Sequence, residues 1–159
     1  RVSSELEKLY KNMPHDSEQI SLRKVTHKDM ETVYSWQTHP TSRIYFHKPE
    51  PPTYDEHKEW FYKTISSNDR DLYMIKYKEN DAGIVRLDYF DENAAEISIL
   101  ISPDHRGLGL GEKAIVLLKK LFPNLTFTAT IHKENIASQK LFEKCGFKQK
   151  GENSYYFRP

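Results

Sequence analysis

Three of the six glycines of this 159-residue chain lie within five positions, at Gly107, Gly109 and Gly111. An apolar, strand-like run precedes them and stops at Pro103, and an amphipathic, helix-like run follows them. Glycine lets the backbone turn tightly and lets successive N–H groups approach a ligand without a Cβ in the way. With the N-terminus of the following helix these N–H groups form an anion site, to which Arg106 adds a positive charge. The spacing therefore predicts a loop that holds a pyrophosphate.

Two common pyrophosphate loops do not fit this spacing. The loop of nucleoside-triphosphate hydrolases needs Gly-x-x-x-x-Gly-Lys-Ser/Thr, whereas only three residues separate Gly107 from Gly111, and Glu112 follows. The dinucleotide-binding fingerprint needs Gly-x-Gly-x-x-Gly in a parallel strand–helix–strand unit, whereas the strands predicted before this loop form an antiparallel meander. A glycine turn that only caps a helix stays open as an alternative, although a cap needs one glycine and no arginine.

Composition narrows the class of protein further. The 24 basic and 23 acidic residues give a net charge of +1, which predicts no nucleic-acid partner. No apolar run approaches the roughly 18–20 residues that span a bilayer, and no signal peptide is recognisable, so we expect a cytoplasmic protein without membrane contact. The single cysteine, Cys145, leaves no partner for an intrachain disulfide and excludes a cysteine-based zinc site.

Periodicity and turn residues predict one α/β domain over residues 19–159, with a mixed, mostly antiparallel sheet flanked by helices. Strands are predicted at residues 20–25, 71–77, 84–90, 95–102, 125–131, 147–150 and 154–158, and helices at residues 26–37, 53–65, 109–122 and 135–145. Residues 3–12 read as a short helix within an N-terminal appendage or linker, residues 1–18. Because the chain begins at Arg1, we expect it to belong to a longer or processed polypeptide.

Two blocks of the sequence resemble the GNAT family of N-acetyltransferases. Residues 99–111 (ILISPDHRGLGLG) resemble its signature of a strand, a proline and Arg/Gln-x-x-Gly-x-Gly/Ala opening a helix. Residues 135–147 (NIASQKLFEKCGF) resemble its second block. The resemblance covers roughly residues 19–158. It implies the GNAT fold, with a splay between parallel fourth and fifth strands, and acetyl-CoA as acetyl donor with no metal.

The resemblance assigns most donor contacts to the backbone. Backbone groups of Ile99, Leu100 and Ile101 would bind the pantetheine as an added strand does, and one N–H would polarise the thioester carbonyl. The residues whose amides would hold the pyrophosphate are Arg106, Gly107, Leu108, Gly109, Leu110 and Gly111. Asn135 would contact the pantetheine arm, and Ser138 the cofactor phosphates.

Proton transfer is the chemical task left to side chains, because an amine is mostly protonated at neutral pH. By resemblance Glu96 is the general base, working through a water, with a solvated strand-edge glutamate as the alternative and Asp88 as the second candidate. The family's usual acid, a tyrosine, is replaced by Phe142, which lines the donor site but donates no proton. Tyr155 or Tyr156 would substitute for it, or the thiolate would leave unassisted.

The acceptor is predicted from a weaker likeness. The segment that holds Trp36, His39 and Arg43 resembles amino-sugar N-acetyltransferases, and so do residues 53–61. With Tyr45 and Phe46, this segment predicts an acceptor site for a small-molecule amine, a nucleotide-linked amino sugar.

Several alternatives stay open. They are a protein N-terminal acetyltransferase of the ribosomal-protein type, a non-catalytic acyl-CoA-binding module, and a packing role for His57 and Trp60. The protein is expected to be a monomer or homodimer, and a fusion to another sugar-nucleotide enzyme stays open.

Overall fold

The computed structural model describes residues 20–159, so the appendage and helix predicted within residues 1–18 lie outside the described part. The strands of this part are β1 (Ile20–Lys24), β2 (Arg70–Tyr77), β3 (Asn80–Asp91), β4 (Ala94–Ile101), β5 (Thr126–Thr130), β6 (Lys148–Gln149) and β7 (Ser154–Phe157). Its α-helices are α1 (Met30–Gln37), α2 (Tyr54–Ile65), α3 (Leu110–Leu121) and α4 (Ile136–Lys144). None of the helices in the described part is long and apolar enough to cross a membrane.

The seven strands form one sheet in the order β1-β2-β3-β4-β5-β7-β6. Neighbouring strands run antiparallel except β4 and β5, which are parallel. Helix α3 lies between β4 and β5 in the chain, because parallel strands need a crossover connection. The predicted mixed, mostly antiparallel α/β sheet is therefore confirmed.

Successive side chains of a strand point to opposite faces of the sheet, so the strands bury residues in two separate cores. The core under α3 and α4 includes Ile115 and Phe127, together with Cys145. Burial raises the pKa of the Cys145 thiol, which keeps it unreactive. The core under α1 and α2 includes Val33 and Phe61. The sheet thus lies between two helical layers, and each strand presents a different set of side chains to each layer.

Two helix ends follow the sequence signals. Thr53 caps α2 with a capping box, in which the Thr53 amide donates to Glu56 Oε1 at 3.0 Å and the Glu56 amide donates to Thr53 Oγ1 at 3.2 Å. Helix α4 is terminated by Gly146, which follows the C-cap residue Cys145 and has a φ of 90°, in the left-handed region that favours glycine. Local side-chain chemistry is sufficient to place both ends.

The predicted helix from Thr26 to residue 37 is wrong in its first turn. Thr26 caps a short 3-10 turn, His27–Asp29, and α1 begins at Met30. Asp29 explains the difference, because its carboxylate accepts hydrogen bonds from the Thr26 amide at 2.9 Å and from the Arg23 guanidinium at 2.8 Å. These bonds hold the pKa of Asp29 below its usual range and fix the tighter turn.

The hairpin between β2 and β3 is also tighter than predicted. Its turn residues are Lys78 and Glu79, with φ of 48° and 68°, and pairing resumes at once between Tyr77 and Asn80. The sequence predicts a turn at Glu79, Asn80 and Asp81. Glu79 lies in the turn, whereas Asn80 and Asp81 belong to β3, which is longer than predicted.

His57 packs in the core instead of facing a ligand. It is 1% exposed, and its ring lies 5.1 Å from that of Tyr34 and 5.5 Å from that of Trp60. Burial lowers the pKa of His57, so the imidazole is neutral at physiological pH. The packing alternative therefore holds for His57.

Strands β3 and β4 come into close contact at Gly83, where a Cβ would lie 2.6 Å from the carbonyl oxygen of Leu100. We expect Gly83→Ala to lower the free energy of unfolding by about 1–3 kcal/mol in urea denaturation, because backbone must move to admit the methyl group. Gly151→Ala is the control, since its nearest contact would be 3.7 Å away. Equal stability of the two variants would contradict this reading of Gly83.

Candidate active site

The parallel pairing of β4 and β5 stops after three residue pairs, which end at Glu96 and Thr128. Beyond Glu96, β4 continues to Ile101 with β3 on one side and no strand partner among the described residues on the other. A cavity of about 870 Å³, the large cavity, opens there and is lined by both strands. The splay implied by the resemblance is confirmed, and Ile99, Leu100 and Ile101 lie along it. Unpaired strand edges of this kind accept an extended ligand as an added strand.

Residues 106–111, the glycine loop, lie at one end of the large cavity. Gly107 and Gly109 have φ of 81° and 73°, and a Cβ built on either would meet no atom within 4 Å. Gly109 is also the N-cap residue of α3, so the loop amides and the helix N-terminus lie together. This open backbone fits the diphosphate of coenzyme A, because exposed N–H groups at a helix N-terminus bind anions.

The remaining loop residues have other surroundings. Gly111 is required for packing, since a Cβ there would lie 3.0 Å from Leu141 Cδ2 on α4. Leu108 is 47% exposed and is not among the described residues that line the large cavity. Arg106 lines that cavity, yet its guanidinium donates hydrogen bonds to the hydroxyls of Thr41 and Ser42, across the cavity mouth. Arg106 therefore ties the glycine loop to the segment after α1.

Helix α4 supplies the opposite wall through Asn135, Ser138 and Phe142. The Asn135 side-chain oxygen caps the helix by accepting from the Ser138 amide at 3.2 Å, which fixes both residues at the cavity. The Phe142 ring is buried edge-on against Phe147, with centroids 4.9 Å apart. Tyr155 is 2% exposed in the first core, and neither it nor Tyr156 is among the residues lining the cavity. Neither of these two predicted substitutes for the missing hydroxyl at Phe142 therefore lines the large cavity.

The two candidate bases lie opposite each other on adjacent strands, since Asp88 pairs with Glu96 in the β3–β4 register. Asp88 is bound by two guanidinium groups, with Arg86 Nε at 2.9 Å and Arg70 Nε at 3.6 Å. Glu96 has a neutral partner instead, because its Oε2 accepts from the Thr130 hydroxyl at 2.6 Å. The Asp88 carboxylate is already engaged by two cations, so the geometry favours Glu96 over Asp88 as the group that meets a substrate ammonium.

A second cavity of about 420 Å³, the small cavity, lies on the α1–α2 side of the sheet. It shares Phe46 and residues 98–100 with the large cavity, so the two spaces meet at the middle of β4. Its other lining residues are Gln37, Arg43, His47, Lys48, Trp60, Leu72, Ile84 and Arg86. Ligands in the two cavities could therefore reach the same stretch of β4.

The predicted acceptor residues divide into two groups. Arg43 lines the small cavity, Tyr45 the large one and Phe46 both, whereas Trp36 and His39 are not among the described residues lining either. Trp36 packs against the second core, and His39 Nδ1 accepts from the Thr41 amide at 3.3 Å.

Arg43 has a structural task that sequence reasoning missed. Its guanidinium donates to four backbone carbonyls, those of Gln37, Lys48, Pro49 and Glu50, at 2.9, 2.6, 3.0 and 3.0 Å. These bonds hold the loop that borders the small cavity. The expected phosphate contact would have to compete with them.

Three further residues at the site were not predicted from the sequence. Arg86 and Ser98 line the small cavity side by side on β3 and β4, and Thr130 lines the large cavity on β5. The only sequence signal was the alternation of strand residues, which gives the face of each side chain but not its neighbour.

A protein-family model described as an acetyltransferase (GNAT) domain matches residues 19–148. This chain belongs to the GNAT acetyltransferase family. A putative phosphinothricin acetyltransferase of Bacillus subtilis is 32% identical over 142 residues, which cover 83% of this chain and 86% of that protein. An uncharacterized protein of Methanocaldococcus jannaschii is 31% identical over 148 residues, 87% of this chain, but this chain spans only 30% of its length.

Solved structures share the fold. The spermidine N-acetyltransferase of Vibrio cholerae, in complex with CoA and spermine, superposes with a TM-score of 0.78 at 23% identity over 88% of this chain and 95% of that one. A domain from M. jannaschii gives a TM-score of 0.77 at 29% identity, covering 89% of this chain and 99% of that one.

The predictions of the GNAT fold, of an N-acetyltransferase and of acetyl-CoA as donor are thus confirmed. Those of these relatives that have a substrate in their name are named for phosphinothricin and spermidine, so they give no support to the likeness to amino-sugar enzymes.

We expect Gly109→Val to weaken acetyl-CoA binding on the order of 100-fold, because the side chain fills the loop and strains a left-handed backbone. Isothermal titration calorimetry measures the affinity, and urea unfolding without ligand measures the strain separately. Leu108→Val changes a neighbouring exposed residue and is the control. Unchanged affinity in Gly109→Val would remove the glycine loop from the donor site.

Proposed function

We propose that this chain transfers the acetyl group of acetyl-CoA to the primary amine of a small acceptor that also carries a negatively charged group. The observation that carries the proposal is the charge of the small cavity. Arg43, Lys48 and Arg86 line it, with His47, and none of the described residues that line it is acidic.

The cationic lining favours an anion over a polyamine. Arg86 is only partly neutralised. Its Nε donates a hydrogen bond to Asp88, and its other guanidinium N–H groups remain to bind a ligand. Arg43 donates its hydrogen bonds to neutral carbonyls, and the Glu50 carboxylate acts on it only through space. Like charges in a partly buried cavity repel strongly, so a spermidine-like acceptor would be disfavoured and a carboxylate, phosphinate or phosphate favoured.

The named relatives agree in part with this choice. Phosphinothricin is an amino acid with carboxylate and phosphinate groups, and the B. subtilis relative bears its name. The V. cholerae spermidine enzyme is more distant, at 24% identity. A nucleotide-linked amino sugar also offers an amine with phosphates, so it stays a member of the proposed class, although Trp36 and His39 lie away from both cavities.

Different residues of the site have separate roles in the proposed reaction. Acetyl-CoA supplies an activated acetyl thioester, which the loop amides and the free edge of β4 would hold. Glu96 takes the proton that the acceptor ammonium must lose before its nitrogen attacks the carbonyl. Phe142 offers no proton, so the thiolate leaves unassisted, which a thiol pKa of about 8.5 makes tolerable.

A panel of amines tests the acceptor class by thiol release from acetyl-CoA. The panel contains phosphinothricin, other acidic amino acids, a UDP-linked amino sugar, an uncharged alkylamine, spermidine and a peptide with a free N-terminus. We expect the highest kcat/KM among the anionic amines. Comparing the acidic amino acids with the UDP-linked amino sugar then shows which of these two kinds of acceptor the protein prefers. Spermidine as the best acceptor would contradict the proposal.

A charge variant tests the small cavity directly. Arg86→Gln should raise KM for an anionic acceptor about tenfold and leave KM for an uncharged amine unchanged, since a hydrogen-bonded charge contributes about 1.5–3 kcal/mol. Lys63→Gln removes an equal charge from the exposed side of α2 and serves as the control. Equal effects on both acceptors would dismiss Arg86 as an anion contact.

A further inference from the structure

The closed end of the splay is bridged by a hydrogen bond between side chains of β4 and β5. Glu96 is the last β4 residue that pairs with β5, opposite Thr128, and the hydroxyl of Thr130 reaches back to Glu96 Oε2 at 2.6 Å. Thr130 lines the large cavity, whereas Glu96 is not among the described residues that line either cavity. The carboxylate therefore communicates with the cavity through this hydroxyl.

We infer that Thr130 relays the acceptor's proton to Glu96 in the acetyl transfer proposed above, on which this inference rests. A hydroxyl accepts and donates at the same oxygen, so it can connect a base outside the cavity lining to a substrate inside the cavity. By resemblance, the base at Glu96 is expected to act on the amine through a water molecule. In this chain the Thr130 hydroxyl takes the place of that water.

The proton transfer balances in one concerted step. The Thr130 oxygen takes a proton from the acceptor ammonium while its own hydroxyl proton passes to Glu96 Oε2. This leaves a neutral amine, an intact Thr130 hydroxyl and a neutral Glu96 carboxyl. The amine nitrogen then forms the C–N bond, the C–S bond breaks with its electron pair on sulfur, and the thiolate takes the second nitrogen proton. Glu96 returns its proton to solvent.

The surroundings of the pair support the assignment. Ser98 follows Glu96 on the same face of β4 and lies in the wall shared by both cavities, where an acceptor from the small cavity meets the donor. The Thr130 hydroxyl points its proton at a carboxylate, so its lone pairs remain for an ammonium. Asp88 is held by Arg70 and Arg86 and lies one strand farther from the splay.

Four single variants and one double variant test the relay by steady-state kinetics over a range of pH. Thr130→Val keeps the side-chain shape without the hydroxyl, and Thr130→Ser keeps the hydroxyl. Thr128→Val makes the same change two residues earlier on the same face of β5, away from the cavity-lining residues, and is the matched control. Glu96→Gln removes the base, and the double variant Thr130→Val with Glu96→Gln measures coupling.

We expect Thr130→Val to lower kcat by about 10- to 100-fold, with acetyl-CoA affinity unchanged by calorimetry, because the lost step is proton transfer. Its kcat/KM should keep rising with pH up to the acceptor's own pKa, since only amine that is already neutral can react. Thr130→Ser and Thr128→Val should stay within about threefold of the wild type, and the double variant should be no slower than Glu96→Gln.

Wild-type kcat in Thr130→Val would overturn the relay while leaving the proposed function standing, and so would losses that multiply in the double variant. Should Thr130→Val fail to fold by circular dichroism, Thr130→Ala replaces it with the same expected outcome. A wild-type protein that binds acetyl-CoA but acetylates no amine of the panel would overturn the proposed function, and the relay with it.

Discussion

The early end of the β4–β5 ladder is the constraint on which the site depends. The two strands pair over only three residues, yet each stays bonded to its outer neighbour. On one side Ile101 still pairs with Gly83 of β3, and on the other Thr130 pairs with Ser154 of β7. The strands are thus held apart from outside, which leaves the inner edge of β4 open to the large cavity, where an extended ligand can bind as an added strand.

This opening passes through the sheet and connects spaces on its two faces. Apolar side chains of β4 point to the α3–α4 side, where they line the large cavity together with the glycine loop. The intervening residues Glu96 and Ser98 point to the other face, beside Asp88 and Arg86 of β3. The acceptor is proposed to bind on that face, beside Arg43, Lys48 and Arg86, whereas the large cavity combines apolar side chains of β4 with the glycine loop and with charged residues that include Arg106 and Lys140.

Two arginines at the site act as anchors for the same loop. Arg43 donates hydrogen bonds to four backbone carbonyls between residues 37 and 50. Arg106, in the glycine loop, donates to the hydroxyls of Thr41 and Ser42 in the same segment. A guanidinium suits this task because it offers five N–H donors in a rigid plane. Both residues were predicted as ligand contacts from their charge, and their hydrogen bonds show that an arginine in a binding motif can organise the site's loops.

The sequence alone determined the glycine loop, the Thr53 and Gly146 helix ends and the order of the elements, because each depends on spacing between residues that are close in the chain. The donor followed from the resemblance of residues 99–111 and 135–147 to the GNAT family. Only the tertiary structure decided which side chains meet. The alternation of Thr126, Thr128 and Thr130 predicts a common face, but the bond from Thr130 to Glu96 depends on the parallel register of β5 against β4. The role of Gly111 likewise depends on how closely α4 approaches α3. Strand register and helix distance are set by packing of the whole domain, and no local pattern encodes them.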